Sequence, residues 1–407
     1  MAVIAVLGTL DTKGQEHGYV AECIKARGHD VLLIDVGSGD DPTVTPDWSR
    51  EQVALAAGLD WEALSKRRDR GECVSAMSQA IQKVVADLVN KGKIDGVISL
   101  GGGGGTAIAT AAMRCLPVGF PKVMVSTLAS GNTAHYIGTK DIVMFPSVVD
   151  VSGLNRISRR VFAQAAGAIC GMVETDVDVS AARPLIAASM FGNTTDCIDR
   201  AVPVLEDAGF EVLVFHATGT GGKAMESLIR DGLVEGVLDV TTTEWADELV
   251  GGVLSAGSQR LDAAAEANIP AIVVPGCLDM VNFGERATLP EQFSHRNIYI
   301  HNPQVTLVRT NADECRELGR IIAEKVNRYT APVTVLIPLQ GISVISATGG
   351  PFYDPEADAA LFDSLISHLS PTVPVQRIDA NINDVVFAEE CAKALAENIK
   401  THQASAV

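Results

Sequence analysis

The stretch VIAVLGTLDTKGQEHGYVAECIKARGHDVLLIDVG (residues 3–37) decides the fold class. Short β-branched runs at 3–8 and 30–36 flank a segment with helical periodicity at 14–27, which predicts a β-α-β unit with buried parallel strands. The same patterns continue along the first half, with strands predicted at 95–100 and 122–127 and helices at 73–91, 105–115 and 153–173. This alternation is typical of a doubly wound α/β domain.

The second half of the chain repeats this order. LIAASMFGNTTDCIDRAVPVLEDAGFEVLVFHATG (185–219) parallels 3–37, VEGVLDVTTTEWADEL (234–249) parallels 94–109, IPAIVVPGCLDM (269–280) parallels 120–131, and ADECRELGRIIAEKVNR (312–328) resembles 152–172. We therefore predict an α/β protein of two tandem Rossmann-like domains with mostly parallel sheets, related by internal duplication. The first domain is predicted at 1–178. The second is predicted at 184–407, with a C-terminal β-α-β-α extension of its sheet.

Composition narrows the class of protein. The chain has 407 residues, 47% of them apolar and 20% charged, which suits filled globular cores. Its formal charge of 32 − 50 = −18 opposes non-specific binding to nucleic acids and anionic membranes. No apolar run is long enough to span a bilayer, and the N-terminus lacks the pattern of a signal peptide. A cytoplasmic protein is expected, with its eight cysteines as buried, reduced thiols and no zinc site.

Ligands of open α/β sheets bind at the carboxyl ends of the strands, where this chain carries glycine-rich turns. The run Gly101, Gly102, Gly103, Gly104 and Gly105 follows a strand and precedes a helix, where backbone amides and the helix dipole hold phosphate. Thr106 could cap that helix or bind a phosphate oxygen. The run matches neither a P-loop nor a complete dinucleotide fingerprint, and a tight turn with close helix–sheet packing is the structural alternative.

Two further turns of the first half supply polar groups. The turn after the first strand contains Gly8, Thr9, Asp11, Thr12 and Lys13. Lys13 could neutralise a phosphate, and Asp11 could orient that phosphate or hold a cation. The structural alternative for Thr12 is that it only caps the helix that follows. The turn after the fourth strand adds Ser126, Thr127, Ser130, Gly131 and Asn132. Many neutral donors with few cations favour a nucleotide or sugar phosphate. NAD is disfavoured, because the glycine run is not on the strand that precedes Asp35.

The second half offers weaker candidates. HATGTGGKAM (216–225) imitates a P-loop but has Ala224 where Ser or Thr would bind magnesium, so an anion site and a structural turn both remain open. Cys277 and Asp279 follow a strand, and a nucleophilic Cys277 would need a base such as His216, His295 or His301. The two histidines at 295 and 301 share strand parity, but their spacing does not fit a helical metal pair. Asp379, Asn381, Asn383 and Asp384 end a strand, and Asp384 is predicted to cap the last helix rather than bind metal.

Five ordered motifs carry a family resemblance: GTLDTKG (8–14), LGGGGGT (100–106), STLASGN (126–132), HATGTGGKAME (216–226) and GGPFYDPEADAALF (349–362). In these motifs the chain resembles the ATP-binding domain family named after a tomato protein that confers resistance to tobamoviruses. The resemblance implies ATP bound by the first domain through the glycine, hydroxyl and charged residues of the first three motifs, and a tendency to form homodimers. In the plant protein this region precedes a TIM barrel, whereas the present sequence ends at Val407, so the resemblance leads us to expect a separate TIM-barrel partner.

Three hypotheses about function follow. The first is a cytoplasmic protein that binds ATP together with Mg²⁺ and has no separate metal site of its own. Whether it hydrolyses ATP or transfers a phosphoryl group is left open, and Asp11 and Lys13 are its catalytic candidates. The second is a metabolic enzyme that acts on a small phosphorylated or acidic substrate between the domains, with Cys277, Asp279, His295, His301 and Asp384 as candidates. The third is a scaffold protein regulated by its nucleotide.

Overall fold

The computed structural model describes residues 1–67, 69–177 and 182–405. The chain divides into two compact units, Met1–Asp178 and Val179–Val407. Each unit is an α/β domain around its own parallel sheet, so the predicted fold class of tandem Rossmann-like domains is confirmed.

The first unit has a five-stranded parallel sheet in the order β2-β1-β3-β4-β5. Its strands are β1 (Val3–Gly8), β2 (Asp30–Asp35), β3 (Gly96–Gly101), β4 (Lys122–Ser126) and β5 (Val143–Pro146). Its helices are α1 (Leu10–Lys25), α2 (Arg50–Ala56), α3 (Trp61–Lys66), α4 (Arg70–Asn90), α5 (Gly103–Arg114), α6 (Ala134–Ile137) and α7 (Arg156–Glu174). The strand order reverses between β1 and β3, and ligands of doubly wound sheets bind at such switch points.

Side-chain alternation in β1 divides the core of the first unit between the two faces of the sheet. Ala5 and Leu7 belong to the cluster under α4 and α5, whereas Ile4 and Val6 belong to the cluster under α1 and α7. Because both faces are covered, the strand is apolar at almost every position, as parallel strands require.

The second unit has a six-stranded parallel sheet in the order β14-β13-β9-β8-β6-β7. Its strands are β6 (Leu185–Met190), β7 (Glu211–His216), β8 (Gly236–Thr241), β9 (Ala271–Gly276), β13 (Val333–Pro338) and β14 (Val375–Ile378). Its helices are α8 (Thr195–Asp207), α9 (Thr220–Arg230), α10 (Glu244–Val250), α11 (Ala263–Glu266), α12 (Ala312–Val326), α13 (Pro355–His368) and α14 (Val385–Ser405). Its first five strands in chain order repeat the topology of the first unit, and β14 extends the sheet.

Two features of the second unit differ from the predicted repeat. An antiparallel sheet of β10 (Met280–Phe283), β12 (Val305–Arg309) and β11 (Ile298–Asn302) is inserted after β9. The predicted correspondence of 312–328 with α7 is also wrong. In the first unit, α7 packs on α1 and on the sheet. In the second unit, the helix in that position is α14, which packs on α8 and on the sheet, whereas α12 packs on α13. The counterpart of α7 is therefore α14.

The remaining global expectations concern thiols and membranes. The eight cysteines are free thiols, and six are buried, but Cys115 is exposed and Cys23 half-buried, in contrast to the buried state expected for all. Within residues 1–67, 69–177 and 182–405, no helix is both long and apolar enough to cross a membrane.

Candidate functional site

A cavity of about 780 Å³ lies at the carboxyl ends of β1, β2 and β3. It therefore occupies the topological switch point of the first sheet, and its size is in the range of small-molecule sites. The structure brings together around it the turns after β1 and β3 that the sequence predicted. The lining residues are Thr9, Asp11, Thr12, Lys13, Ser38, Gly39, Asp40, Ser65, Asp69, Cys73, Val74, Gly101, Gly102, Gly103, Gly104, Gly105, Ile108 and Asp150.

The N-terminus of α5 presents its backbone amides to this cavity. The helix begins at Gly103, its N-cap Gly102 supplies no side chain, and the first internal hydrogen bond runs from the Thr106 amide to the Gly102 carbonyl at 2.9 Å. In the described part of the chain, the amides of Gly103, Gly104 and Gly105 donate to no protein acceptor. Free amides at a positive helix end form an anion-binding site.

The fold itself requires glycine at only one position of this run. A Cβ on Gly101 would lie 3.0 Å from the Cα of Gly105, a contact that closes the turn against the strand. A Cβ on Gly104 would meet nothing within 4 Å, and one on Gly103 would lie 3.9 Å from Leu128 Cδ1. Packing within the described residues therefore does not require glycine at 103 or 104.

This difference predicts opposite effects of two alanine substitutions on stability. Gly101→Ala should destabilise the protein by about 1–3 kcal/mol, because the tight turn must open. Gly104→Ala should leave stability unchanged or raise it by up to about 1 kcal/mol, because alanine favours helix. Urea unfolding followed by circular dichroism measures both. Equal losses for the two variants would mean that the run is a packing device throughout.

The turn after β1 places one cation in the cavity. The Asp11 carboxylate accepts the amide of Gly39 at 2.7 Å and that of Thr12 at 2.8 Å, which ties this turn to the one after β2. The Thr9 and Thr12 hydroxyls lie 3.2 Å apart. Lys13 leaves the helical conformation, with φ of −129°, and within the described residues it forms no ion pair. Its ammonium group is therefore available to an anion.

Two buried side chains fix the relative positions of these turns. Nδ1 of His17 lies 2.7 Å from the Lys13 carbonyl, and Nε2 accepts the Leu100 amide at 3.3 Å. Burial lowers the pKa of His17, so the neutral ring joins the turn after β1 to the strand that leads into the glycine run. Asp35 accepts the amides of Leu10 and Gly37 with Oδ1 and is 1% exposed, so its carboxylate supports the turns and does not face a ribose.

Carboxylates outnumber cations around the cavity. Its charged lining residues are Lys13 and the four acids Asp11, Asp40, Asp69 and Asp150. A bound polyphosphate would therefore require a divalent cation to balance the acidic wall. Among the described residues, no group of three or more His, Cys, Asp or Glu side chains forms a ready metal site.

The third predicted turn, 126–132, lines a separate cavity of about 430 Å³ together with residues 146–150. Thr127 and Ser130 contribute their hydroxyls, and Asp150 borders both cavities. The hydroxyl groups of Ser126 and Thr106 lie 2.7 Å apart, and both side chains are buried. They therefore support the turn, and Thr106 cannot make the predicted contact with a phosphate. Gly131 and Asn132 line neither cavity; the Asn132 side chain accepts the Ala134 amide.

Strain marks the wall of this second cavity. Val148 has φ of 65° and is 78% exposed, while the Val149 amide donates to the Ser147 carbonyl at 2.7 Å around it. This is a γ-turn with a β-branched residue in the left-handed region, which is rare and costs free energy. Strain of this kind concentrates at functional sites.

One wall of the first cavity was not predicted from the sequence. Ser65 of α3 and Asp69, Cys73 and Val74 around the start of α4 face the glycine run, but helix was predicted only from residue 73. Local capping signals were present. Ser49 and Gln52 form a capping box at α2, and Asp60 and Asp69 cap α3 and α4.

In the second unit, the protein fills the glycine turn after β7 with its own carboxylate. The Gly219 and Gly222 amides at the start of α9 donate to Glu244 Oε1 at 2.7 and 3.1 Å. Glu244 is fully buried and follows β8, where the first unit has the glycine run. The turn at 216–225 is therefore structural, and the alternative of a second anion site is wrong.

Glu244 belongs to a buried charged cluster around Arg260. The guanidinium group binds Asp239 with two nitrogens at 2.5 and 2.6 Å, Glu244 at 2.7 Å and Glu226 at 3.3 Å. Arg260 is 1% exposed. Its three carboxylate partners raise its pKa, which keeps the guanidinium charged although burial alone would lower that pKa.

A neighbouring carboxyl of the second unit predicts a pH dependence of stability. Burial raises the pKa of Asp247 to about 7, although Asn282 donates to it. From about pH 4 to about pH 7 the folded state then holds a proton that the unfolded state releases, so the free energy of unfolding falls as pH rises through this range.

Asp247→Asn should remove this contribution. As pH rises from 5 to 8, a range around the pKa of about 7, the unaltered protein should lose free energy of unfolding through this group. The variant should not, so its stability relative to the unaltered protein should increase over this range. Urea unfolding at several pH values measures it. Parallel pH profiles for the two proteins would contradict the assignment.

The remaining candidates of the second unit do not form a catalytic group. Cys277 is fully buried, which raises the pKa of its thiol well above the usual value, whereas His216, His295 and His301 are exposed. His301 lies in β11 but His295 precedes it, so the two do not share a strand. Asp279 is fully buried and accepts the Ser343 hydroxyl at 2.8 Å. The Asp384 carboxylate accepts the Asn381 amide, and Asn383 binds the backbone of Asn193 and Cys197, so these residues shape the turn before α14.

Comparison with known proteins covers nearly the whole chain. Residues 2–178 match the family described as "Uncharacterised protein family (UPF0261) N-terminal domain", and residues 183–399 match the corresponding C-terminal domain. A UPF0261 protein of Clostridium tetani is 49% identical over 394 residues, which are 96% of this chain and 98% of that protein. The ToMV resistance protein Tm-1(GCR237) of Solanum lycopersicum is 39% identical over 414 residues, which are 96% of this chain but 55% of the tomato protein. Among solved structures, the thioesterase domain from the curacin biosynthetic pathway is 14% identical, covers 54% of this chain and 92% of its own, and has a TM-score of 0.26.

Proposed function

The chain belongs to the UPF0261 family, and we propose that its first unit binds ATP together with Mg²⁺ in the cavity at the carboxyl ends of β1, β2 and β3. The observation that carries the proposal is the free N-terminus of α5. Among the described residues, the amides of Gly103, Gly104 and Gly105 at this cavity have no acceptor, and no packing contact requires glycine at 103 or 104. Phosphate oxygens need this close approach to backbone.

The charges around the cavity favour a nucleotide accompanied by a cation. Lys13 lies across from the glycine run as the lining cation, and it would bind a terminal phosphate as a point charge. The carboxylates of Asp11, Asp40 and Asp150 have the chemistry to bind the water shell of Mg²⁺, which usually keeps several waters beside substrate phosphates. When bound, Mg²⁺ would neutralise phosphate charge, and the same positioned groups would serve hydrolysis or transfer of a phosphoryl group.

The hypothesis of a metabolic enzyme built on Cys277 and the histidines has less support. A fully buried thiol with a raised pKa is neither accessible nor ionised at neutral pH, and the three histidines lie at the surface. By contrast, Asp11 and Lys13 face a cavity large enough for a nucleotide.

Calorimetric titration of the full chain with MgATP tests the proposal. Saturable binding is expected, and Lys13→Ala should weaken it at least about tenfold, since one lost phosphate contact is worth roughly 1.4 kcal/mol or more. Lys25→Ala is the matched control, because Lys25 lies in the last turn of the same helix, is half-exposed and pairs only with Glu22 among the described residues. ADP and GTP titrations report how much the third phosphate and the base contribute.

Two outcomes would contradict the proposal. One is no heat and no thermal stabilisation with ATP in the presence or absence of Mg²⁺. The other is binding that Lys13→Ala and Lys25→Ala reduce equally, because the site would then lie outside the cavity.

A further inference from the structure

A cavity of about 480 Å³ in the first unit lies beside the edge strand β2, apart from the glycine run. Its walls are apolar and come from three elements. Leu32 belongs to β2, Trp48 bridges to β2 just before α2, Ala56 ends α2, and Val84 and Leu88 belong to α4. These walls suit an apolar ligand body and offer few partners to a sugar or a phosphate.

The aromatic wall is preformed by backbone hydrogen bonds. The Trp48 amide donates to the Leu33 carbonyl at 3.1 Å, and the Trp48 carbonyl accepts the Asp35 amide at 2.9 Å. The Leu33 amide donates to the Asp47 carboxylate at 2.8 Å. Trp48 is thereby attached to the outer edge of β2, so a ligand would not have to order the wall that it contacts.

The rim of this cavity is positive in a protein with a formal charge of −18. Lys83, Lys91 and Lys93 line it together with Asp87. Lys91 pairs with Asp87 at 3.8 Å, whereas Lys83 and Lys93 form no ion pair within the described residues. Two uncompensated ammonium groups above an apolar floor complement a ligand that has an anionic head and an apolar body.

We propose that this cavity binds an amphipathic monoanion of the medium-chain carboxylate class. The hydrocarbon body packs against Trp48, Val84 and Leu88, and the carboxylate lies at the rim that carries Lys83 and Lys93. This site is independent of the nucleotide cavity, since the two have no lining residue in common.

Calorimetry with the full chain tests the proposal with decanoate as the probe. Decyltrimethylammonium and decanol are chain-matched probes with a positive and a neutral head. Decanoate is expected to bind saturably and at least about tenfold more tightly than either, with affinity rising from hexanoate to decanoate as buried methylenes are added. Lys83→Gln with Lys93→Gln should weaken decanoate at least about tenfold, whereas the control pair Lys25→Gln with Lys66→Gln, exposed lysines outside the rim, should not change it.

Fluorine NMR of the chain labelled with fluorotryptophan locates the ligand without any core substitution. The chain has three tryptophans, so Trp48→Phe assigns one of three signals. Decanoate should shift the Trp48 signal in proportion to occupancy and leave the Trp245 signal in place. Ala56→Phe, a change at an exposed lining residue, should abolish the shift by filling the cavity while the unfolding midpoint stays unchanged.

Three results would overturn the proposal. Equal binding of decanoate and decyltrimethylammonium would show that the lysine rim does not select the ligand. An unmoved Trp48 signal at saturation would place the ligand elsewhere. A Trp48 signal that shifts with protein concentration alone would mean that a second copy of the chain occupies the groove. MgATP binding should be measured in Ala56→Phe as well. If that variant still binds MgATP, the failure concerns the apolar cavity and not the nucleotide site.

Discussion

Arg260→Met is expected to destabilise the second unit by about 3–5 kcal/mol, a large fraction of the stability of an ordinary domain. The substitution leaves Asp239, Glu226 and Glu244 buried without their shared cation. These acids are 0–5% exposed, so water cannot replace the guanidinium group. Methionine retains the packing of the arginine stem but not the guanidinium group, so the pH dependence is needed to separate the unpaired charges from the space left behind.

The pH dependence of this variant separates charge from packing. Burial already raises the pKa of Glu226 although the charge of Arg260 lowers it, so removal of Arg260 should raise that pKa further. The folded variant then holds protons that the unfolded chain releases, so its deficit in stability should be smaller at pH 5 than at pH 8.

Urea unfolding of the full chain at both pH values measures the deficit. Arg320→Met is the matched control, because Arg320 is 38% exposed and its partners Glu317 and Glu324 are 41% and 58% exposed, and pairs of this kind contribute about 0–1 kcal/mol. An Arg260→Met protein with the same unfolding midpoint as the control would show that the cluster contributes nothing to stability.

The repeated β-α-β pattern was sufficient to predict the two sheets. A buried parallel strand is a continuous apolar run, so β1 was predicted correctly at 3–8. The alignment of the second half with the first half started from that strand. The short helices α2 and α3 were missed, since seven and six residues contain too few turns for a clear periodicity. Their placement depends on tertiary contacts such as Arg50, which binds the carbonyls of Gly39 and Asp40 and lies over the Trp61 ring.

The candidate site was predictable where it follows from topology. The turns after β1 and β3 meet because the strand order reverses between them, so Lys13 and the glycine run were placed together from the sequence. The acidic wall was not predictable, since Asp69 and Asp150 are distant in sequence and reach the cavity through helix packing and a strained turn. Glu244 was also missed, because a glycine turn filled by the chain's own carboxylate has the same local sequence as one that binds a ligand.

Gly104→Asp is expected to weaken MgATP binding at least about 100-fold, which is roughly 2.7 kcal/mol, without loss of stability. A Cβ at this position meets nothing within 4 Å, and a carboxylate in the first turn stabilises a helix by about 0.3–1 kcal/mol. The same carboxylate would occupy the amides that phosphate needs. At about 4 Å its repulsion of a phosphate charge is about 4 kcal/mol in a partly shielded environment.

The second unit provides the precedent within the same chain. There Glu244 accepts the Gly219 and Gly222 amides at the start of α9, so an internal carboxylate satisfies a glycine turn of this kind. Glu244 reaches those amides from a neighbouring turn, whereas Gly104→Asp would place the carboxylate on α5 itself, where it would compete with phosphate for the amides of the same helix.

Gly104→Asn is the matched control, because it adds nearly the same volume without the charge, and its loss of affinity should be much smaller. Calorimetry with MgATP, beside urea unfolding of both variants, measures affinity and stability together. If the aspartate variant bound MgATP as tightly as the asparagine variant, the phosphates would not approach α5. The free amides of Gly103, Gly104 and Gly105 would then belong to a ligand without charge.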